Sequence, residues 1–103
     1  MPDPQLDMQP EHWAIVRDIL RLHAAGLEVW AFGSRAKGTA KPYSDLDLVI
    51  IGERPLSLAQ DAALADAFAE SELPWRVDIV DWATTSEAFR RIIRHDKVVL
   101  QTT

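Results

Sequence analysis

Three short apolar segments alternate with segments of helical spacing along this chain, and this alternation restricts the possible fold more than any other feature. Residues 27–32, 46–51 and 75–82 are rich in the residue types that favour strands. Apolar residues recur at helical spacing from Trp13 to Leu22, and again from Leu64 to Phe68. The order predicts an α/β (α+β) fold in which a small mixed β-sheet carries helices packed on it.

Local signals place the ends of the predicted elements. Pro10 suits the first turn of a helix, and Gly26 is a good stop signal. Capping boxes open two later helices, and residues 35–37 and 98–100 form a short helix and a short terminal strand. The predicted capping pairs are Ser57 with Gln60 and Thr84 with Glu87, and the apolar residues of the last helix are Phe89, Ile92 and Ile93.

The chain has 103 residues, which is enough for one domain with one core. We expect a single domain over residues 1–103, with residues 1–9 as a flexible N-terminal tail. No separate substrate-binding domain fits beside it, so whatever the protein modifies must largely come to it.

Composition excludes several kinds of chemistry. The chain contains no cysteine, which rules out disulfides and thiolate ligands, and the start of the chain shows no secretory pattern. These features predict a cytoplasmic protein, and the apolar runs are too short to span a membrane. The formal net charge of -5 argues against direct nucleic-acid binding, which depends on neutralising phosphates with Lys and Arg.

Two carboxylates stand at the beginning of the second apolar segment. Asp45 and Asp47 are two residues apart, so in a strand they project to the same face, roughly 6.5 to 7 Å apart along the backbone. Like charges held this close favour a bound cation, and Mg²⁺ prefers oxygen ligands. A solvated loop end with two acids is the simpler alternative, because such a pair by itself is weak evidence for a site.

Gly33 and Ser34 lie where the first strand passes into the short helix. Free N–H groups at such a helix start attract phosphate, and glycine allows the backbone to approach closely. The alternative is an ordinary turn with a serine N-cap. Neither a Walker A loop nor a dinucleotide-binding glycine motif fits the segment that follows.

Taken together, these residues resemble the signature of the DNA polymerase beta-like nucleotidyltransferase superfamily. Gly33-Ser34 is followed by ten residues and then by Asp45-Leu46-Asp47, and Arg35, Gly38 and Ser44 also match. The fuller strings are similar in particular to the minimal nucleotidyltransferases of prokaryotic modules with HEPN-domain partners. The resemblance spans most of the chain and implies the polymerase beta-like nucleotidyltransferase fold.

The resemblance implies a third carboxylate on a neighbouring strand. Asp78 matches by pattern and by distance along the chain, and Asp81 is the competitor. We favour Asp78, because an unpaired carboxylate inside an apolar strand would be costly without a function, whereas Asp81 falls at the strand end.

The same resemblance implies roles for the site residues. Asp45, Asp47 and Asp78 would bind two Mg²⁺ ions, and Gly33 and Ser34 would hold the phosphates of ATP. Arg35 or Lys37 would neutralise the leaving pyrophosphate, although a solvated helix face explains both cations equally well. Ser44 completes the set of nucleotide-binding candidates.

The implied activity is transfer of AMP from ATP to a hydroxyl, expected to be a tyrosine, of a partner HEPN toxin, with this chain as the antitoxin. Two alternatives stay open. The chain could neutralise its partner by binding alone, or it could modify a small molecule such as an aminoglycoside.

Two further groups of residues favour structural interpretations, with partner contacts as the alternative. Trp30 is expected in the core. Core packing is also the expectation for most of the other tryptophans, which are Trp13, Trp75 and Trp82, although indoles near element ends also suit an interface. The basic cluster on the last helix is typical of dipole compensation, and it could also bind an acidic partner. The cluster consists of Arg90, Arg91, Arg94 and His95.

Overall fold

The computed structural model describes residues 4–103 and contains one four-stranded sheet. The helices are α1 (Pro10–His23), α2 (Ser34–Lys37), α3 (Leu58–Ala69) and α4 (Glu87–Asp96). The strands are β1 (Glu28–Phe32), β2 (Leu46–Ile51), β3 (Val77–Asp81) and β4 (Val98–Gln101), and a 3₁₀ turn covers Trp82–Thr84. This order confirms the predicted alternation of helices and strands, including the terminal strand.

The sheet is mixed, with the strand order β3-β2-β1-β4. Strand β1 is antiparallel to both β2 and β4, whereas β2 and β3 are parallel. The connection between β2 and β3 runs through α3, as parallel neighbours require. The strands that carry the predicted site residues, β2 and β3, are therefore direct neighbours.

Side chains alternate between the two faces of the sheet and build two apolar clusters. The larger cluster joins β2 residues Leu46, Leu48 and Ile50 to α1 and α3. The smaller one lies on the opposite face, where Trp30, Phe32 and Val49 pack with Ile93 of α4. Asp47 alternates with Leu46 and Leu48, so its side chain lies on the face that carries α4.

Helix starts follow the predicted chemistry with one correction. Pro10 is the first residue of α1, and Ser57 forms a capping box with Gln60 at α3. Helix α4 is capped by Ser86, whose hydroxyl accepts the N–H of Phe89 at 3.2 Å. The prediction of Thr84 as this cap is wrong, because Thr84 ends the 3₁₀ turn and its hydroxyl donates to the carbonyl of Asp81.

The segment before α1 is packed, which differs from the flexible tail expected over residues 1–9. Residues 1–3 lie outside the described residues, but Leu6 and Met8 pack against the larger cluster. Asp7 donates its N–H to the carbonyl of Arg35 at 2.8 Å. Its own carbonyl accepts a hydrogen bond from the Arg35 guanidinium at 2.7 Å. Apolar side chains and a buried arginine therefore hold this segment in place.

The tryptophans confirm the core interpretation for most positions. Trp13, Trp30 and Trp75 are each only 8% exposed, while Trp82 is half-buried beside the smaller cluster. Over residues 4–103, no helix combines the length and the apolar character needed to cross a membrane.

Candidate active site

Two carboxylates lie side by side at the same level of the sheet. Asp47 on β2 is in register with Asp78 on the parallel strand β3, and with Phe32 on the other side. Neighbouring strands are about 4.8 Å apart, so the two carboxylates extend from adjacent backbone positions to the same face. The pairing brings together two of the three predicted acidic residues.

Gly33 lies directly beside this pair. Its φ of 76° and ψ of −160° belong to a backbone conformation that essentially only glycine adopts. A Cβ atom at this position would collide with the Asp47 carboxylate. Gly33 therefore turns the chain out of β1 and at the same time leaves room for the carboxylate.

The electrostatics of Asp47 reflect its crowded position. Burial raises the pKa of Asp47, and the nearby carboxylates of Asp78 and Asp45 raise this pKa further. Each effect disfavours the charged form, because water is displaced and like charges repel. A cation between these carboxylates would reverse the second effect.

Asp45 stands at the mouth of a cleft of about 620 Å³ next to the strand start. The residue precedes β2, and the N–H of Leu46 donates to the carbonyl of Arg76 at 2.9 Å, which begins the pairing with β3. The cleft is lined on its other sides by Tyr43 of the loop before β2, by α3 residues including Phe68, and by the segment before β3 including Trp75. This cleft is a concave surface beside the carboxylates.

Arg35 holds the loop that carries Asp45. The side chain is 4% exposed, and its guanidinium donates to the carbonyls of Ser44 at 2.8 Å, Pro42 at 3.1 Å and Lys41 at 3.3 Å. A fourth bond reaches the carbonyl of Asp7, and the guanidinium lies 4.3 Å from the ring centroid of Trp75. One arginine therefore connects the N-terminal segment, the loop before β2 and the segment before β3.

This placement contradicts both sequence interpretations of Arg35. A guanidinium already bonded to four carbonyl groups is not available to a pyrophosphate, and it does not lie on a solvated helix face. Burial lowers the pKa of Arg35, and the carboxylates of Asp7 and Asp45 oppose that shift. An arginine remains charged under these conditions.

The other phosphate-binding candidates are placed differently. Ser34 is the first residue of α2, at the helix start that follows Gly33, where backbone N–H groups have no intrahelical acceptor. Lys37 is exposed at the end of the same short helix. Ser44 has a loop role, because its hydroxyl accepts the N–H of Lys41 at 2.8 Å.

Asp78 and Asp81 occupy different environments on β3. Asp78 forms a 3.2 Å ion pair with Arg76, and the two side chains are 43% and 79% exposed. Asp78 is therefore more exposed than the sequence suggests, because β3 is an edge strand. Asp81 lies three residues further along, facing the other side of the sheet, and its carboxylate accepts the N–H of Leu56 at 3.2 Å.

Two contributors to the site were missed by sequence reasoning. Asp7 fastens the loop before β2, because its carboxylate accepts the N–H of Ala40 at 3.0 Å in addition to its contacts with Arg35. No local pattern indicates a contact over 33 residues. The contact of Arg76 with Asp78 could have been predicted from sequence, because residues two apart on a strand share a face.

The family model described as a nucleotidyltransferase domain matches residues 11–101, which include the four strands of the sheet and every site residue predicted from sequence. The chain therefore belongs to the nucleotidyltransferase domain family.

Individual proteins show which nucleotidyltransferases this chain is similar to. The chain is 59% identical over 97 residues to a Haemophilus influenzae protein named "Probable protein adenylyltransferase MntA", covering 94% of this chain and 85% of that protein. A crystal structure of a toxin-antitoxin with AMP-PNP is 26% identical, with a TM-score of 0.73 over 88% of this chain and 73% of that chain.

The chain also has the same fold as one chain in a structure of a tri-AMPylated Shewanella oneidensis HEPN toxin in complex with an MNT antitoxin. The TM-score is 0.69 at 24% identity, over 93% of this chain and 74% of that chain. The predicted fold is thereby confirmed.

Proposed function

We propose that this chain is a protein adenylyltransferase that transfers AMP from ATP to a hydroxyl group, expected to be a tyrosine, of a partner HEPN toxin, and so acts as an antitoxin. The observation that carries the proposal is the pair of Asp47 and Asp78 in register on adjacent strands, with Gly33 against the Asp47 carboxylate.

The comparisons support AMP transfer from ATP as the reaction and a protein as the acceptor. The MntA relative is named as a probable protein adenylyltransferase and is 59% identical to this chain over 97 residues, which are 85% of the relative's length. The toxin-antitoxin structure with AMP-PNP contains an ATP analogue, which supports ATP as the nucleotide. The HEPN identity of the partner follows from the sequence resemblance.

The carboxylates fit a site for Mg²⁺ that is completed by the substrate. Asp47 has a raised pKa because of burial and two neighbouring carboxylates, which is the electrostatic signature of a site that favours a cation. Within residues 4–103, no three acidic or histidine side chains are placed so that they could hold an ion by themselves. Mg²⁺ commonly binds one or two carboxylates together with water and substrate phosphates, so an open site is suitable.

Bound Mg²⁺ would stabilise negative charge on the triphosphate and promote ionisation of the attacking hydroxyl. Asp45 and Asp47 would hold the ions on the phosphate side, and Asp78 would do so on the acceptor side. Asp78 is suited to that position because it is 43% exposed, and the weak ion pair with Arg76 is easily exchanged for another partner.

Residues around the carboxylates would position the triphosphate. Gly33 allows a close approach of the backbone, and the Ser34 hydroxyl and N–H would donate to the phosphate oxygens. Lys37 is exposed one helical turn later and can add a positive charge. In the proposed reaction the acceptor oxygen bonds to the α-phosphorus, the bond from that phosphorus to the bridging oxygen breaks, and pyrophosphate leaves.

Labelled ATP tests the proposal. The chain is incubated with Mg²⁺ and with ATP labelled either at the α- or at the γ-phosphate, with and without a HEPN-domain protein from the neighbouring gene. We expect α-label, but no γ-label, on the HEPN protein. Tight binding of that protein without α-label would contradict transfer and favour neutralisation by binding alone.

A further inference from the structure

The face of the sheet that carries Asp47 and Asp78 also exposes three apolar side chains, Phe89, Ile92 and Val99, together called the apolar patch here. Phe89 and Ile92 lie on α4 and are 41% and 56% exposed, and Val99 on β4 is 41% exposed. Val99 is in register with Trp30, whose side chain belongs to the cluster beneath α4. All three residues therefore belong to the α4 side of the molecule.

The apolar patch is continuous with the candidate active site. The rings of Phe89 and Phe32 meet edge to face with their centroids 5.6 Å apart. Phe32 is in turn the cross-strand neighbour of Asp47. A protein whose hydroxyl group reaches Asp47 and Asp78 from this side would come up against the patch.

Two cations lie beside the apolar patch and form its basic rim, although the chain as a whole has a formal net charge of -5. Arg91 is exposed next to Ile92 on α4, and Lys97 follows the helix with its ammonium 4.2 Å from the Trp30 ring centroid. No ion-pair partner for Arg91 is present in the part of the chain that the structure describes, whereas Arg94 pairs with Glu87 at 3.0 Å and lies against Trp82 on the other side of α4. The rim thus offers cations to an acidic surface.

We infer that the apolar patch and its basic rim are the docking surface for the acceptor protein of the proposed reaction, whose matching surface has an apolar centre flanked by carboxylates. This inference rests on the proposed function, because it requires an acceptor that is itself a protein. A second copy of this chain fits less well, since a symmetric contact would set the basic rim against itself.

Substitution of Ile92 tests the docking surface. Ile92→Asp places a carboxylate in the middle of the apolar patch at a position that is more than half exposed, so the fold is retained. We expect affinity for the HEPN protein to fall by more than about tenfold, as for a central interface residue. The KM for the acceptor protein should rise while the KM for ATP stays unchanged. Arg91→Glu should also weaken binding, with a larger effect at low salt.

Leu58→Asp is the matched control. Leu58 is 90% exposed at the start of α3, in the helix layer on the opposite face of the sheet, and the same change there should alter neither binding nor transfer. Wild-type affinity in Ile92→Asp, or equal losses in both variants, would overturn the docking surface. Loss of self-association in Ile92→Asp with unchanged HEPN binding would overturn it too, in favour of a dimer.

The binding measurement separates this inference from the proposed function. If the wild-type chain transfers no label but Ile92→Asp alone loses affinity, the proposed transfer fails and the docking surface stands. If the wild-type chain transfers label and Ile92→Asp does so with unchanged KM for the acceptor, the transfer stands and the docking surface fails.

Discussion

Asp47 is the residue on which the candidate site depends most. Its carboxylate is crowded by burial and by Asp78 and Asp45, and it occupies the space that a side chain at Gly33 would need. Such a position is unfavourable for a charge in the absence of a cation. Binding of a metal ion with its triphosphate would relieve this unfavourable arrangement of charges.

Replacing Asp47 by Asn should therefore stabilise the metal-free protein at neutral pH. A carboxyl group whose pKa is raised in the folded state favours folding in its protonated form, and that contribution is lost as the pH rises through the folded pKa. Thermal unfolding of both proteins in EDTA should give a higher Tm for Asp47→Asn at pH 7. This gain should shrink as the pH falls through the raised pKa of Asp47 and should be absent below about 4, where the carboxyl is protonated in the unfolded chain as well.

In the presence of ATP and Mg²⁺, the wild-type protein should have a higher Tm than Asp47→Asn. Ligand binding raises the Tm of the wild-type protein by mass action, whereas Asp47→Asn should show little increase. A lower Tm for Asp47→Asn in EDTA at pH 7 would contradict the crowding of this carboxylate.

Arg35 is a positioning residue in this account, because it touches the loop that carries Asp45 and none of the three carboxylates. Arg35→Ala would remove four part-buried hydrogen bonds to carbonyl groups and the contact with Trp75, and we expect it to lower the free energy of unfolding by about 3 kcal/mol. Arg35→Lys keeps the charge but loses the planar fork, so it should fold and yet hold the loop poorly.

The readout for Arg35→Lys is the split between kinetic constants at a temperature where the variant is fully folded. The KM for ATP should rise several-fold, and a higher Mg²⁺ concentration should partly restore the rate, because Asp45 is misplaced rather than removed. A variant with wild-type kinetics and only a lower Tm would show that Arg35 serves stability alone.

At the scale of elements, the N-terminal segment and the loop before β2 behave as one unit. The Asp7 N–H donates to the Arg35 carbonyl, the Asp7 carbonyl accepts from the Arg35 guanidinium, and the Asp7 carboxylate accepts the N–H of Ala40. Leu6 and Met8 add apolar contacts to the larger cluster. The segment outside the helices and strands thus contributes to the geometry of the candidate site.

Asp7→Ala tests this coupling without touching a predicted ligand. Loss of the carboxylate frees the Ala40 N–H, and we expect a loss of about 1 kcal/mol in unfolding free energy together with faster amide exchange in residues 38–44. Gln5→Ala, at an exposed position of the same segment, is the control and should exchange like the wild type. Equal exchange in all three proteins would contradict the coupling.

The elements themselves were largely predictable from sequence, because their signals are local. Periodicity, the Ser57 capping box and Pro10 each report on neighbouring residues, and the structure confirms them. Asp45, Asp47, Gly33 and Ser34 were selected as candidates through a spacing that fits one strand, turn and helix. The sequence resemblance implied that Asp78 lies on a neighbouring strand, but the parallel pairing of β2 with β3 that sets it beside Asp47 is encoded by no local pattern.

What could not be predicted depends on distant contacts. The bonds from Arg35 to Asp7 and the packing of Leu6 and Met8 join parts of the chain that lie far apart in sequence. A buried arginine looks like a surface arginine until its acceptors are known. For the same reason the exposure of Asp78 was misjudged, since a strand's place at the edge of a sheet is set by topology.

At the scale of the whole molecule, the two faces of the sheet differ in what they carry. Helices α1 and α3 cover one face and build most of the core, whereas the α4 face carries Asp47 and Asp78, the apolar patch and its basic rim. One face therefore stabilises the domain, and we propose that the other binds nucleotide and protein partner side by side.

The most direct test of the central claim compares two aspartates of the same strand. Transfer of AMP from α-labelled ATP to the HEPN protein is measured for Asp78→Asn and Asp81→Asn, with folding of both checked by thermal unfolding. Asp78→Asn should lower the rate by more than about 100-fold, because even indirect neighbours of metal ligands commonly cost 10- to 100-fold. Asp81→Asn should retain transfer, since an amide oxygen can still accept the Leu56 N–H. Normal transfer by Asp78→Asn, with loss in Asp81→Asn, would contradict the assignment of Asp47 and Asp78 as the centre of the site.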